Sequence, residues 1–152
     1  MFVKSYTAIP ADFEQVSSRL RTCPRGWVDA VAAEVERYGE RLLTEVGLQG
    51  RSRRRRPARL EVGEAVATER TILLPLRVHV RDATRLMPSL EGNLDAAWLG
   101  PGHTYLSLSV QYELAPAVMG EPIDRVLLHR VVEAVALRFV EAAAKRLVSC
   151  PV

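Results

Sequence analysis

Through most of residues 59 to 112 the apolar side chains recur at every second position, whereas from Trp27 to Val46 and from Leu128 to Ala143 they recur at every third or fourth. A period of two belongs to a strand with one buried face, and a period near 3.6 belongs to a helix with one buried stripe. Leu60, Val62, Glu64 and Val66 alternate with Arg59, Glu61 and Gly63, and Ile72, Leu74, Leu76, Val78 and Val80 alternate with Leu73, Pro75, Arg77, His79 and Arg81. Leu90, Gly92, Leu94, Ala96 and Trp98 alternate with Glu91, Asn93, Asp95 and Ala97; Thr104, Leu106, Leu108, Val110 and Tyr112 alternate with Tyr105, Ser107, Ser109, Gln111 and Glu113. Four half-buried strands in succession are predicted. Gly100-Pro101-Gly102 is a short turn between the last two, as in an antiparallel hairpin. Pro75 removes one ladder donor and marks an edge or a bulge.

The flanks supply the partners for that sheet. Phe2 to Ile9 is rich in β-formers and stops at Pro10, which suits a first strand. Asp12, with Gln15 three residues on as its capping-box partner, opens a short helix whose apolar side is Phe13, Val16 and Leu20. The Cys23-Pro24-Arg25-Gly26 stretch should break it. From Trp27 to Val46 the residues Trp27, Val28, Val31, Val35, Tyr38, Leu42 and Val46 make one face of a second helix, opposite Asp29, Glu36, Arg37 and Glu40, with Gly47 as its stop. A final helix opens near Pro122 and runs to about Val148, roughly 40 Å at 1.5 Å per residue. Its stripe is Leu128, Val131, Val132, Val135, Phe139, Ala142 and Ala143, so it should lie along the sheet.

With 152 residues, 48% hydrophobic and 26% charged, the chain suits a single domain spanning 1-152, and excludes a coiled coil or a collagen-like repeat. The net charge of +3 depends on Arg51, Arg53, Arg54, Arg55, Arg56 and Arg59. Basicity is therefore local, and a fold built to track a phosphate backbone is not indicated. That run lacks periodicity and ends at Pro57, so it reads as an exposed loop. Cys23 and Cys150 belong to no C-x-x-C or Cys/His pattern, and no metal ligand set is expected. No apolar run approaches the ~20 residues of a membrane span, and no apolar segment follows a basic start, so the cytoplasm is the expected location.

Taken in order, the predicted elements are a strand, two helices, several antiparallel strands and one long helix. Tyr6 to Leu20, the segment LEGNLDAAWLGPGHTYLSLSVQYEL from Leu90, and Gly120-Glu121-Pro122-Ile123-Asp124 resemble the SRPBCC, or START-like, superfamily with the helix-grip fold, in its polyketide cyclase/dehydrase-like branch. The resemblance covers nearly the whole chain and implies an α+β fold, with a curved antiparallel sheet wrapped around the C-terminal helix and two helices after the first strand. Two departures stand out. The Trp27 to Val46 helix is longer than is usual in the family, and five strands are evident where six or seven are common, leaving room for one hidden in Ala65 to Thr71.

The resemblance further implies a space between sheet and helix that takes an apolar or amphipathic small molecule, lipid-like or polyketide-like. Its lining would comprise Tyr6 from the first strand, Leu76 and Val78, then Leu90, Leu94 and Trp98. Leu106, Leu108, Val110 and Tyr112 would complete the sheet side, and Leu128, Val132, Val135 and Phe139 the helix side. Tyr6, Tyr112 and Trp98 could give such a lining polar tips, or could be ordinary packing.

Glu64, Tyr112 and His129 are the residues to weigh for catalysis. Glu64 shares the parity of Leu60 and Val62, which would bury it and raise its pKa; the plainer reading is a strand-end residue that reaches solvent. His79 and His103 look exposed, and His129 flanks the last helix's stripe; none has an evident Ser, Cys or carboxylate partner. Without a phosphate-binding glycine loop, an H-E-x-x-H helix or a G-x-S-x-G elbow, no cofactor is expected. Binding without turnover is the first expectation. A cofactor-free cyclase, aromatase or dehydrase is the second, and the third is an interaction module whose Arg-rich loop meets RNA, a membrane or a protein. Nucleic acid is disfavoured because that loop has no aromatic residue to stack a base.

Overall fold

A computed structural model describes residues 1–22, 24–45, 59–79, 90–112 and 122–149. The chain forms β1 (Phe2–Ile9), α1 (Phe13–Arg21), α2 (Pro24–Glu45), β2 (Arg59–Val62), β3 (Val66–Ala67), β4 (Thr71–His79), β5 (Leu90–Gly100), β6 (His103–Tyr112) and α3 (Pro122–Ser149). All strand pairings are antiparallel, in the order β1-β6-β5-β4-β2 with β3 beside β4, so the six-stranded sheet is open. It curves around part of α3, giving the α+β helix-grip arrangement. The sixth strand, β3, lies within the expected 65–71 stretch.

One face of each strand is buried against the helices. Val3 and Ile9 of β1, Ile72, Leu74 and Leu76 of β4, Leu94 and Ala96 of β5, and Leu106, Leu108 and Val110 of β6 form one core with the helices. α3 packs against β1 and β6 on one side and along α2 on another. Two partners require a wide apolar surface, and buried Leu128, Val131, Val132, Val135, Ala136, Phe139, Val140, Ala143 and Leu147 provide it. Arg19 of α1 donates to the carbonyls of Leu147 and Val148, two of the acceptors left over in the last turn of α3.

Three local expectations change. Asp12 stands at the N-cap of α1 but makes no side-chain bond to that helix. Its Oδ1 accepts instead from the Gly102 N–H at 2.9 Å, and Thr104 Oγ1 donates to the Ala11 carbonyl at 2.8 Å. The corner after β1 is thereby tied to the β5–β6 turn, where Gly102 has a φ of +70° that glycine adopts without strain. Pro24 and Gly26 do not separate the helices as a breaker between them; they fall inside α2, which opens at Pro24, a residue suited to a first turn.

The third change is at the edge of the sheet. Val62 pairs with Leu76, whereas Val66 pairs with Leu73. Three residues, Gly63 to Ala65, therefore oppose Leu74 and Pro75, which is a one-residue bulge. Gly63 N–H donates to the Pro75 carbonyl at 2.8 Å, and the proline sits at the break, where a ladder donor is not needed. The extra residue reverses the parity, so Val66 faces outward and is 62% exposed. Glu64 lies in the bulge and is exposed; its inward-facing reading is set aside.

The Gly47 stop, the Arg51 to Pro57 run, Val80 and Arg81, and both cysteines lie outside the described residues. Among the described residues, no helix is long and apolar enough to cross a membrane, and no group of His, Cys, Asp and Glu could hold a metal ion.

Candidate functional site

Burial along the inner face of the sheet is uneven. Leu94, Ala96 and Leu106 are fully buried, whereas Leu60, Val78 and Leu90 are half-buried. These three face one another across adjacent strands, since Leu60 pairs with Val78 and Val78 with Leu90. Leu90 in turn pairs with Tyr112, the last residue of β6. The grip is closely packed through its middle, and its apolar wall continues into a less covered end at this row.

A polar cluster stands at the same end. Tyr112 is buried, with its ring stacked on that of His129 at a centroid distance of 5.9 Å. The Tyr112 hydroxyl and His129 Nδ1 share a hydrogen bond, and His129 Nε2 lies 3.2 Å from Glu133 Oε1. One turn of α3 separates His129 from Glu133, so the helix repeat sets that contact. In the tautomer that carries its proton on Nε2, His129 accepts from the Tyr112 hydroxyl at Nδ1 and turns an N–H toward Glu133. Desolvation, with the Glu133 charge adding to it, raises the pKa of Tyr112, which keeps the phenol protonated.

This cluster unites Tyr112 and His129, and adds Glu133. The expectation that His129 lacks a carboxylate partner is corrected: the i, i+4 spacing was present in the sequence, but only the fold brings Tyr112 to the other ring nitrogen. Glu64 is remote in kind, being exposed in the bulge. His103 is exposed at the start of β6, and the His79 side chain lies outside the described residues.

The expected lining divides between two faces and two depths. Tyr6 is on the outer face of the sheet, 63% exposed and stacked on Tyr105 at 5.6 Å, so it does not face α3. Trp98 is 45% exposed, beneath the Arg70 guanidinium at 4.9 Å, near the β5–β6 turn. Leu76, Leu94, Leu106, Leu108, Val110, Leu128, Val132, Val135 and Phe139 are buried, packed in the core. Val78 and Leu90 form the less covered end, with the buried Tyr112 beside Leu90.

The outer face was not singled out from sequence. A groove of about 520 Å³ crosses it, lined by Phe2, Glu61, Val62, Gly63, Pro75, Leu76, Arg77, Glu91, Gly92, Asn93, Ser109 and Gln111. Arg77 Nη2 donates to Glu91 Oε1 at 2.9 Å across the β4–β5 pair, and that bond chiefly raises the arginine's pKa. Farther along β5, Asp95 Oδ1 is buried without a hydrogen-bond partner among the described residues.

No protein-family model matches the chain, and no curated protein matches it. Among solved structures, it is similar to a conserved protein from Geobacillus kaustophilus, with 11% identity, 95% of this chain and 93% of that one covered, and a TM-score of 0.51. A hypothetical protein from Helicobacter pylori gives 12% identity over 95% and 86% of the two chains, at a TM-score of 0.49. The Zhui aromatase/cyclase from Streptomyces sp. R1128 gives 16% identity over 99% and 96%, at a TM-score of 0.42. Identities this low bear on fold alone, and the Geobacillus protein carries that likeness: a similarity of architecture over nearly the whole of both chains.

Proposed function

We propose that the chain binds an apolar or amphipathic small molecule at the less covered end of the grip, its apolar part against Leu60, Val78 and Leu90 and its polar end at Tyr112 and His129. The observation that carries this reading is the position of the hydrogen-bonded Tyr112–His129 pair, with Glu133 beside the imidazole, next to an apolar row that is only half-buried. Ligand sites combine these two features, because apolar walls supply affinity and a few convergent polar groups supply orientation. A lipid-like or polyketide-like ligand fits the resemblance to the polyketide cyclase/dehydrase-like branch.

Native mass spectrometry of the purified protein tests it. The expected result is a bound apolar molecule, or uptake of an anilinonaphthalene fluorophore, lost in Leu90→Glu and weakened in Tyr112→Phe while circular dichroism is retained. A wild-type chain that carries no extra mass and takes up no more fluorophore than Leu90→Glu would end the proposal.

Glu133 favours a second reading, proton transfer without a cofactor. A tyrosine, an imidazole and a carboxylate in series can pass a proton to or from a bound carbonyl compound. Exchange of the α-hydrogens of ethyl acetoacetate into deuterium oxide measures this directly. Acceleration that disappears in both Tyr112→Phe and His129→Gln supports catalysis, and no acceleration by the wild type leaves binding alone.

A further inference from the structure

The groove on the outer face has an order that follows from strand register. Phe2, Gln111, Glu91, Arg77 and Glu61 stand side by side in one row, because each pairs with the next across β1, β6, β5, β4 and β2. Behind them run Lys4, Ser109, Asn93 and Pro75, paired in the same sense. Four interstrand spacings make the first row roughly 19 Å long. The groove between these rows lies on the face opposite α3, away from Tyr112 and His129.

Its chemistry selects among ligands. An anion would meet Glu91 and Glu61, and the Arg77 charge is already engaged by Glu91. A lipid tail would have to lie along ionised side chains, a costly desolvation. What the rows offer is Gln111, Asn93 and Ser109, which each donate and accept, the exposed Arg77–Glu91 pair with its remaining donors and acceptors, and the Phe2 ring, 56% exposed at one end. Vicinal hydroxyl groups match side chains that both donate and accept. The C–H face of a sugar ring matches an exposed aromatic ring.

We propose that this outer-face groove is a separate binding site for a neutral oligosaccharide, with Phe2 as its stacking platform and Gln111, Asn93 and Ser109 as its hydroxyl-recognition groups. About 520 Å³ falls within the ~300–1,000 Å³ usual for small-molecule sites. This site stands independently of the one beneath the sheet.

Titration of the ¹⁵N-labelled chain with maltose, cellobiose and chitobiose, followed by amide shifts, tests it. The expected result is that at least one disaccharide moves the amides of Gly92, Asn93, Ser109 and Gln111. Phe2→Ala should then weaken binding about two- to tenfold, the range an aromatic contact supports, and Gln111→Ala should also weaken it, with anilinonaphthalene uptake unchanged in both. The proposal is overturned if none of the three sugars moves these amides, if both variants bind as wild type does, or if inorganic phosphate moves them and the sugars do not.

Discussion

A Cβ placed on Gly92 would stand 1.9 Å from the Ser109 carbonyl oxygen and 2.9 Å from the carbonyl carbon. Both are backbone atoms of the neighbouring strand, so no rotamer change can make room, and the close approach of β5 to β6 here depends on the absent side chain. Gly92→Ala should destabilise the fold by at least about 1–3 kcal/mol, the usual cost of overpacking, as read from urea midpoints; an unchanged midpoint would show that the strands can separate freely there. Asp95, three positions along, presents a different cost. Desolvation raises its pKa, opposed by the charge of Lys4. The folded chain therefore holds this proton more tightly than the unfolded chain does. Its contribution is favourable below the ordinary carboxylate range, and it is lost as pH rises through the raised value. Asp95→Asn, which does not ionise, should gain stability relative to wild type as pH rises from the ordinary carboxylate range through the raised value. Parallel stability curves for the two proteins would contradict this. Neither residue stood out in the sequence, because Gly92 fits the alternation of β5 and Asp95 reads as an ordinary solvent-facing position.

At the scale of elements, every strand of the sheet was legible, the short β3 only as a stretch with room for a strand, whereas the facing of the 59–67 stretch was not. β5 and β6 keep strict alternation from Leu90 to Trp98 and from Thr104 to Tyr112, and both are observed as single strands. In the 59–67 stretch the same alternation is misleading: a bulge adds one residue, and the pattern through Glu64 and Val66 continues on paper while the chain turns over. Composition cannot distinguish these cases, since the bulge is specified by what Pro75 on the adjacent strand cannot donate. The α3 stripe was legible because its spacing is long and regular, but its double role between sheet and α2 was not. That role bears on Val135, which is 7% exposed and packed in the core. Val135→Phe should cost about 1–3 kcal/mol through overpacking, with anilinonaphthalene uptake retained, since the proposed ligand end lies at Leu60, Val78 and Leu90. If the larger ring is accommodated at no cost and uptake is lost, the middle of the grip holds the ligand instead.

For the whole molecule, the architecture leaves one end of a closed core less covered, and this has a thermodynamic consequence that does not depend on knowing the ligand. The middle of the grip, with Leu94, Ala96 and Leu106 at 0% exposure, can hold the fold together without an occupant. A ligand at the Leu90 end would then add to an already folded state and would not be required for folding. Such an addition follows mass action: a ligand that binds only the native chain stabilises it by about 2.7 kcal/mol when its free concentration is a hundred times its Kd. Protein unfolded in guanidinium, extracted with organic solvent and refolded should therefore regain its secondary structure but melt at a lower temperature than the protein as purified. Returning the extract should restore the difference in wild type and fail to do so in Leu90→Glu. Equal melting temperatures before and after extraction, with no mass released, would contradict occupancy of this end. Failure to refold without the extract would instead make the ligand part of the core, with no separation between a packed middle and a binding end.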